Sequence, residues 1–531
     1  MVLAASLQTA CGGASRSANT SNTSSSAPAA PRTLRELDGE LERLMGEHSL
    51  AEWNEYTHEQ PVPEGTLDRL RAAESALFQR AKPLADAILA RTDASPEERR
   101  RAQLWHDGAL GLALVGDPEI AQLSHRLEAA LDAHRFERSG QQLTRADVRR
   151  LAMSTDPAER RAAIELESGA HRDVADIARQ LFRRRAAVAR QLGIDSFGDT
   201  MLRLRGIDPA RWDSLAQTLE TSTRAAYQSL LTNGARAAHL TQVAPADASF
   251  VLTVNLDWTN DRLRADDAVE FARRSLGAMG FDLDHPPVRV VVREFAFGGQ
   301  TLAIRVPDDV RTVVRPQGGV RFYGTLLHEL GHGLQGTRTR VDEAIFKGYE
   351  WVPALTVPGF DEGMAEVFGT MTREPDFLAR FTQLTPDERA RLVDAQRHNT
   401  LVYLRNLMTD VAFERAALAN PEQDLDALER RLVHEIQLLD VPADNPPRWA
   451  NSPFLGTYPM YRQSYALAAM VAAQVHAALR TRFGDRWLGP EAAEFVTRTL
   501  FASGETTEWE DRLRACTGNG LGAEALVESL R

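Results

Sequence analysis

Two thiols, Cys11 and Cys516, are all that this chain of 531 residues carries, so cysteine usage says nothing about its redox compartment. No run of eighteen or more apolar residues occurs, which excludes a membrane-spanning helix. Excess positive charge is missing too. The net charge is −12 and the pI is near 5.6, which argues against nucleic acid as a partner. The arginine runs at 99–101 and 183–185 are balanced by nearby acids and read as solvated helix faces. There is no internal repeat and no heptad array. Strand-like material is scarce as well, confined to 288–292 and 301–306.

Helical periodicity is abundant, as at 67–89, 156–192 and 389–418. With 43% hydrophobic residues the chain can bury a substantial core. Its length implies either several cores or one large helical body with two lobes. The expectation is a mainly α protein in two lobes around a deep central cleft, with a small β-sheet beside one chemically distinctive helix. Residues 1–32 read as a leader and tether, 33–531 as the folded part, and about 287–480 as the segment that carries the chemistry.

That chemistry is announced by His328-Glu329-Leu330-Gly331-His332. Histidines four apart on a helix share a face, so both imidazoles reach one Zn²⁺. The glutamate between them sits beside the open coordination position, placed to take a proton from water there. A chance match in a chain of this composition is a roughly one-in-a-hundred event. The apolar, glycine-rich flanks (324–327 and 333–335) point to a buried helix. Two histidines and a glutamate without partners would be costly there, and a metal supplies the partner.

A catalytic zinc site needs a third ligand from another element. In Val357-Pro358-Gly359-Phe360-Asp361-Glu362-Gly363-Met364-Ala365-Glu366, Pro358 and Gly359 mark a turn and Asp361 is placed to cap the helix that follows. Glu362 and Glu366 lie one turn apart on one face, with small residues between them that permit close packing. Glu362 is expected to bind the metal and Glu366 to orient a ligating imidazole. Glu350 and Glu343 are the other carboxylates in reach. Trp351-Val352-Pro353 makes a poor helix start for the first, and the second falls on the loop.

The metal motif followed by Pro-Gly-Phe-Asp-Glu-Gly-Met-Ala-Glu resembles the peptidase M2 family, that of angiotensin-converting enzyme. The segment 306–311 is similar to that family's Asp-Phe-Arg segment upstream of the metal helix. Tyr458-Pro459-Met460-Tyr461-Arg462-Gln463-Ser464-Tyr465 is similar to its tyrosine-rich helix and to that of the related M3 oligopeptidases. Weaker similarity covers 50–54 and 513–530. The resemblance implies a zinc peptidase of peptidyl-dipeptidase or oligopeptidase type. The chain departs from the pattern in three places. The link from His332 to Glu362 is longer, residues 440–470 contain no histidine, and Gly298-Gly299-Gln300-Thr301 replaces a histidine-containing edge strand. Peptide hydrolysis survives these departures; converting-enzyme specificity does not follow.

Attack on a carbonyl creates an oxyanion that needs a donor besides the metal. Tyr461 and Tyr465, four apart on a helix expected to run to about Arg480, offer phenols. The resemblance assigns the role to Tyr465, with Tyr461 open as the alternative. Arg462 is a candidate for holding a substrate carboxylate. The strand containing Gly299 and Thr301 is a candidate edge for an extended peptide. The expected partners are peptides, the expected cofactor one Zn²⁺, and the expected state a monomer.

At the N-terminus, a short apolar stretch ending in small residues before Cys11-Gly12-Gly13, then a Ser/Thr/Ala/Pro-rich tract to about Pro31, resembles a bacterial lipoprotein signal and tether. The basic segment that usually opens such a signal is absent. Lipidation at Cys11, export and anchoring to a membrane through that lipid are the expectations. A non-catalytic peptide- or metal-binding protein on the same scaffold is the other functional class. The retained Glu329 favours an enzyme, because a binding protein has no use for a general base.

Overall fold

The computed structural model describes residues 33–295, 297–452 and 454–531. Cys11 and the leader lie outside the described residues. The chain is mainly helical, and the long periodic segments fold as read: helices Thr66–Leu89, Pro157–Gln191 and Pro386–Ala419. Their starts follow from local chemistry. Thr385 accepts from the Glu388 amide while the Glu388 side chain accepts from the Thr385 amide, a reciprocal cap that satisfies two donors the helix itself cannot. Asp156 caps Pro157–Gln191, where Pro157 sacrifices no hydrogen bond at the first helical position.

The sheet has three strands, one more than the sequence reading allowed. Val288–Val292 pairs parallel with Asp309–Val314, which pairs antiparallel with Gly299–Arg305. The extra strand starts inside the 306–311 segment likened to the Asp-Phe-Arg region, and it occupies the middle of the sheet. A two-stranded hairpin, Phe136–Arg138 with Gln141–Leu143, was likewise not anticipated. Leu302 and Val313 point to one face and meet Trp53 of the N-terminal helix Arg35–Thr57. The other face receives the helix Gly319–Arg338, which carries the two motif histidines.

This histidine helix is the pivot of the site. It packs against Pro358–Gly369, the glutamate helix, which in turn packs against Gln463–Phe483, the tyrosine helix. Close approach rests on missing side chains. A methyl group on Gly331 would lie 2.7 Å from the Ala365 Cα, and one on Gly363 would lie 2.7 Å from Val471. Both are closer than real contacts allow, so larger residues would force the helices apart. The apolar interior gathers into one large cluster around these three helices. A second cluster joins the N-terminal helices to residues around Phe346 and Tyr349. The strand Gly299–Arg305 lies between them, touching both the histidine helix and Arg35–Thr57.

Candidate metal centre

His328 and His332 project from one face of the histidine helix, rings 4.9 Å apart and nearly perpendicular. Glu362 reaches them from the facing helix, its Oε2 lying 3.2 Å from His328 Nε2 and 3.9 Å from His332 Nε2. Two ligands about 2.0–2.1 Å from a tetrahedral ion lie about 3.3 Å from each other, so these separations fit a single ion among the three. Among the described residues this is the one His/Cys/Asp/Glu group whose ligand atoms all lie within 4.8 Å of one another. Two imidazoles and a carboxylate are a donor set suited to zinc.

The protonation of the site favours a cation. Burial alone would strip the proton from His328, but the Glu362 and Glu366 carboxylates outweigh it and raise its pKa to about 9. Burial pushes Glu362 up, yet its two imidazole neighbours and a phenol pull it below the ordinary carboxylate range. Burial depresses His332. A divalent ion among these groups replaces the proton that His328 otherwise holds.

The groups behind the ligands were only half anticipated. Glu366 faces His328, Oε1 to Nδ1 at 3.7 Å, and that buried nitrogen has no hydrogen-bond partner. Asp361 is the surprise. The helix begins at Pro358 with Val357 as its cap, so Asp361 is free of capping. Its Oδ2 lies 4.0 Å from His332 Nδ1, while Oδ1 accepts from Gln335. Each histidine thus has a carboxylate behind it, the arrangement that orients ligating imidazoles. Glu350 and Glu343 stand apart from the ligands. Glu343 is taken by Arg101 at 2.6 and 2.7 Å. Glu350 accepts from Gln300 at 3.4 Å. Its side chain is exposed, yet desolvation by the surrounding protein first, and then the carboxylates Asp361, Glu362, Glu329 and Glu52, push it up to about 8.

Glu329 is buried beside this cluster. Burial first, and the Glu362 charge with it, raise its carboxyl to about 7. The Thr301 hydroxyl lies 3.0 Å from its Oε2 and 2.8 Å from its backbone carbonyl. Gly299 forms the rest of the seat. The Thr301 hydroxyl and the bare Cα of Gly299 both face Glu329, while their strand is an edge of the three-stranded sheet. Further along this strand Gly46 of the N-terminal helix closes on the Ile304 carbonyl, so the edge is covered there.

The tyrosines differ from the single-helix reading. The tyrosine helix starts at Gln463, and Tyr461 precedes it, directly after Met460 in a left-handed turn at φ 51°. Its hydroxyl nevertheless donates to Glu362 Oε1 at 2.9 Å. Tyr465 is on the helix, 6% exposed, its ring 5.6 Å from that of Tyr461. Burial and then the Glu362 charge drive both phenols well above their ordinary pKa, keeping them as donors. Tyr458 is 47% exposed, its ring 5.5 Å from that of Tyr461. Arg462 pairs with Asp410 through Nη2 at 2.7 Å, and its buried Nε has no hydrogen-bond partner.

No protein-family model matches the sequence, and no curated protein matches it. Solved structures do. The chain is similar to an M32 carboxypeptidase from Deinococcus radiodurans R1, with 16% identity, a TM-score of 0.61, and coverage of 94% of this chain and 97% of that one. It is similar to a carboxypeptidase of Pyrococcus furiosus, at 15% identity and TM-score 0.64, covering 94% and 98%. It is also similar to PZ peptidase A, at 14% identity and TM-score 0.70, covering 94% and 91%. The fold is the mainly helical metallopeptidase fold of these neighbours. The narrower M2 assignment rests on the sequence segments alone.

Proposed function

We propose that this protein hydrolyses peptide bonds using one Zn²⁺ held by His328, His332 and Glu362. The observation that carries the reading is the convergence of those three side chains from two helices beside the buried carboxylate of Glu329. A bound zinc ion supplies Lewis acidity toward a carbonyl and makes water acidic enough to attack at neutral pH. Glu329 accepts the proton of the attacking water and later delivers it to the leaving amine; a carboxyl raised toward 7 is matched to both tasks. Thr301 and Gly299 hold that carboxylate in place. Tyr465 donates to the oxygen on which charge develops, while Tyr461 holds the far oxygen of Glu362. Glu350 and Tyr458 line the approach.

The substrates are peptides, cut in the manner of a peptidyl-dipeptidase or an oligopeptidase. The test is incubation of the purified protein with a peptide mixture, with and without a zinc chelator, and mass spectrometry of the products. Chelator-sensitive release of dipeptides or internal fragments supports the reading. Release of single C-terminal residues redirects it to carboxypeptidase action. Stoichiometric zinc without any hydrolysis establishes a binding protein instead.

A further inference from the structure

The turn that delivers Tyr461 to the metal ligand is built from strained backbone and buried charge. Met460 is fully buried and held at φ 51°, a left-handed conformation that is costly for a non-glycine residue and persists only where the surroundings impose it. Two ionisable side chains from remote helices hold it. Glu414, 3% exposed on Pro386–Ala419, accepts from the Met460 amide through Oε1 at 2.9 Å. Arg205, at the end of the helix Phe197–Leu204, donates to the Pro459 carbonyl from Nε at 3.2 Å and from Nη2 at 3.1 Å. The same guanidinium lies over the Tyr461 ring, 4.9 Å from its centroid. Arg185 donates to the Leu455 and Gly456 carbonyls just upstream. An ordinary loop is tied down by apolar contacts and its own hydrogen bonds. Burying charged groups to hold one turn is costly, and here they fix the residue whose hydroxyl meets Glu362.

We infer that Arg205 and Glu414 are positioning residues. They clamp Pro459–Met460 so that the Tyr461 phenol is aimed at Glu362 Oε1, which turns the other oxygen of that carboxylate toward the two imidazoles. Arg205 acts through Tyr461 and contacts neither ligand nor substrate. The inference deepens the zinc-site reading above and rests on it, but its decisive readout does not require turnover.

The test is a double-mutant cycle on zinc affinity, measured by competition with a chromogenic chelator, in the full chain. Tyr461→Phe removes the bond to Glu362, and loss of such an orienting partner typically weakens metal binding about 10–100-fold. Arg205→Gln should weaken zinc by a comparable factor, and combining it with Tyr461→Phe should weaken it no further. Arg205→Lys keeps the buried charge and one donor but lacks the flat face over the ring. It should fold, recover part of the affinity, and also have no effect once residue 461 is Phe. Kinetically, the arginine variants should lower kcat and leave KM within about twofold. Wild-type zinc affinity in whichever arginine variant folds, or a loss undiminished in the Tyr461→Phe background, overturns the inference. A wild-type protein that binds zinc but hydrolyses nothing overturns the peptidase reading and leaves the cycle standing.

Discussion

Gly299 leaves the space that the Glu329 side chain fills. A methyl group at position 299 would stand 2.4 Å from the Glu329 Cγ and 2.7 Å from its Oε1. The absence of a side chain on the strand is what lets the carboxylate of the helix sit where it does. Gly299→Ala should therefore displace Glu329 and lower kcat at least tenfold with zinc retained. Glu329→Gln marks the limit of that effect, a fall of about 10²–10⁴-fold, the usual worth of a general base. Steady-state kinetics with metal analysis on both variants checks this; wild-type turnover in Gly299→Ala would show that the seat is dispensable.

The two tyrosines should separate by readout. Tyr465→Phe deletes one donor to the developing oxyanion, a loss worth about 3–4 kcal/mol or roughly 10²–10³-fold in kcat, with zinc affinity unchanged. Tyr461→Phe should show the opposite balance, weaker zinc and a smaller effect on turnover at saturating metal. Measured zinc dissociation constants and kcat for both variants decide it. The assignment fails if their profiles are the same.

Much of this site was legible in the chain. The four-residue spacing of His328 and His332 and the one-turn spacing of Glu362 and Glu366 are local periodicities that survive folding unchanged. What was not legible depends on contacts across the chain. Asp361 looks like a cap in sequence, but Pro358 already starts the helix, which releases the carboxylate toward His332. Tyr461 looked helical by its spacing from Tyr465, and only the remote clamp of Arg205 and Glu414 shows why the chain turns at Met460. Asp309–Val314 hides as a strand because its first residues are charged, while its pairing on both sides is set by neighbours in the sheet. Gly299 and Thr301 have a contact that strand periodicity does not show: both face Glu329 across the strand–helix packing.

A pH-dependent contribution to stability should come from Glu374. It directly precedes the helix Pro375–Phe381 and faces the tyrosine helix, 3.1 Å from His476 Nδ1 and accepting from Arg480. Burial opposes its ionisation, but those two partners outweigh it and hold the pKa at about 2 against an ordinary 4.5. Above pH 4.5 the carboxylate is ionised in both folded and unfolded chains, and the full contribution, about 3 kcal/mol, is present. As pH falls below 4.5 the unfolded chain takes up the proton first, and the contribution is gone once the folded form is protonated near pH 2. The stability difference between wild type and Glu374→Gln, measured by urea unfolding, should shrink by about half or more from pH 6 to pH 3. A difference independent of pH would remove Glu374 from this role.

The claim on which everything else depends is that His328, His332 and Glu362 bind one zinc ion together. Metal analysis of the purified protein, combined with X-ray absorption at the zinc edge, tests it most directly. One zinc per chain is expected, bound by two imidazole nitrogens and a carboxylate oxygen at about 2.0–2.2 Å, with the metal lost in Glu362→Ala. Protein without stoichiometric metal, or zinc held unchanged in Glu362→Ala, would contradict it.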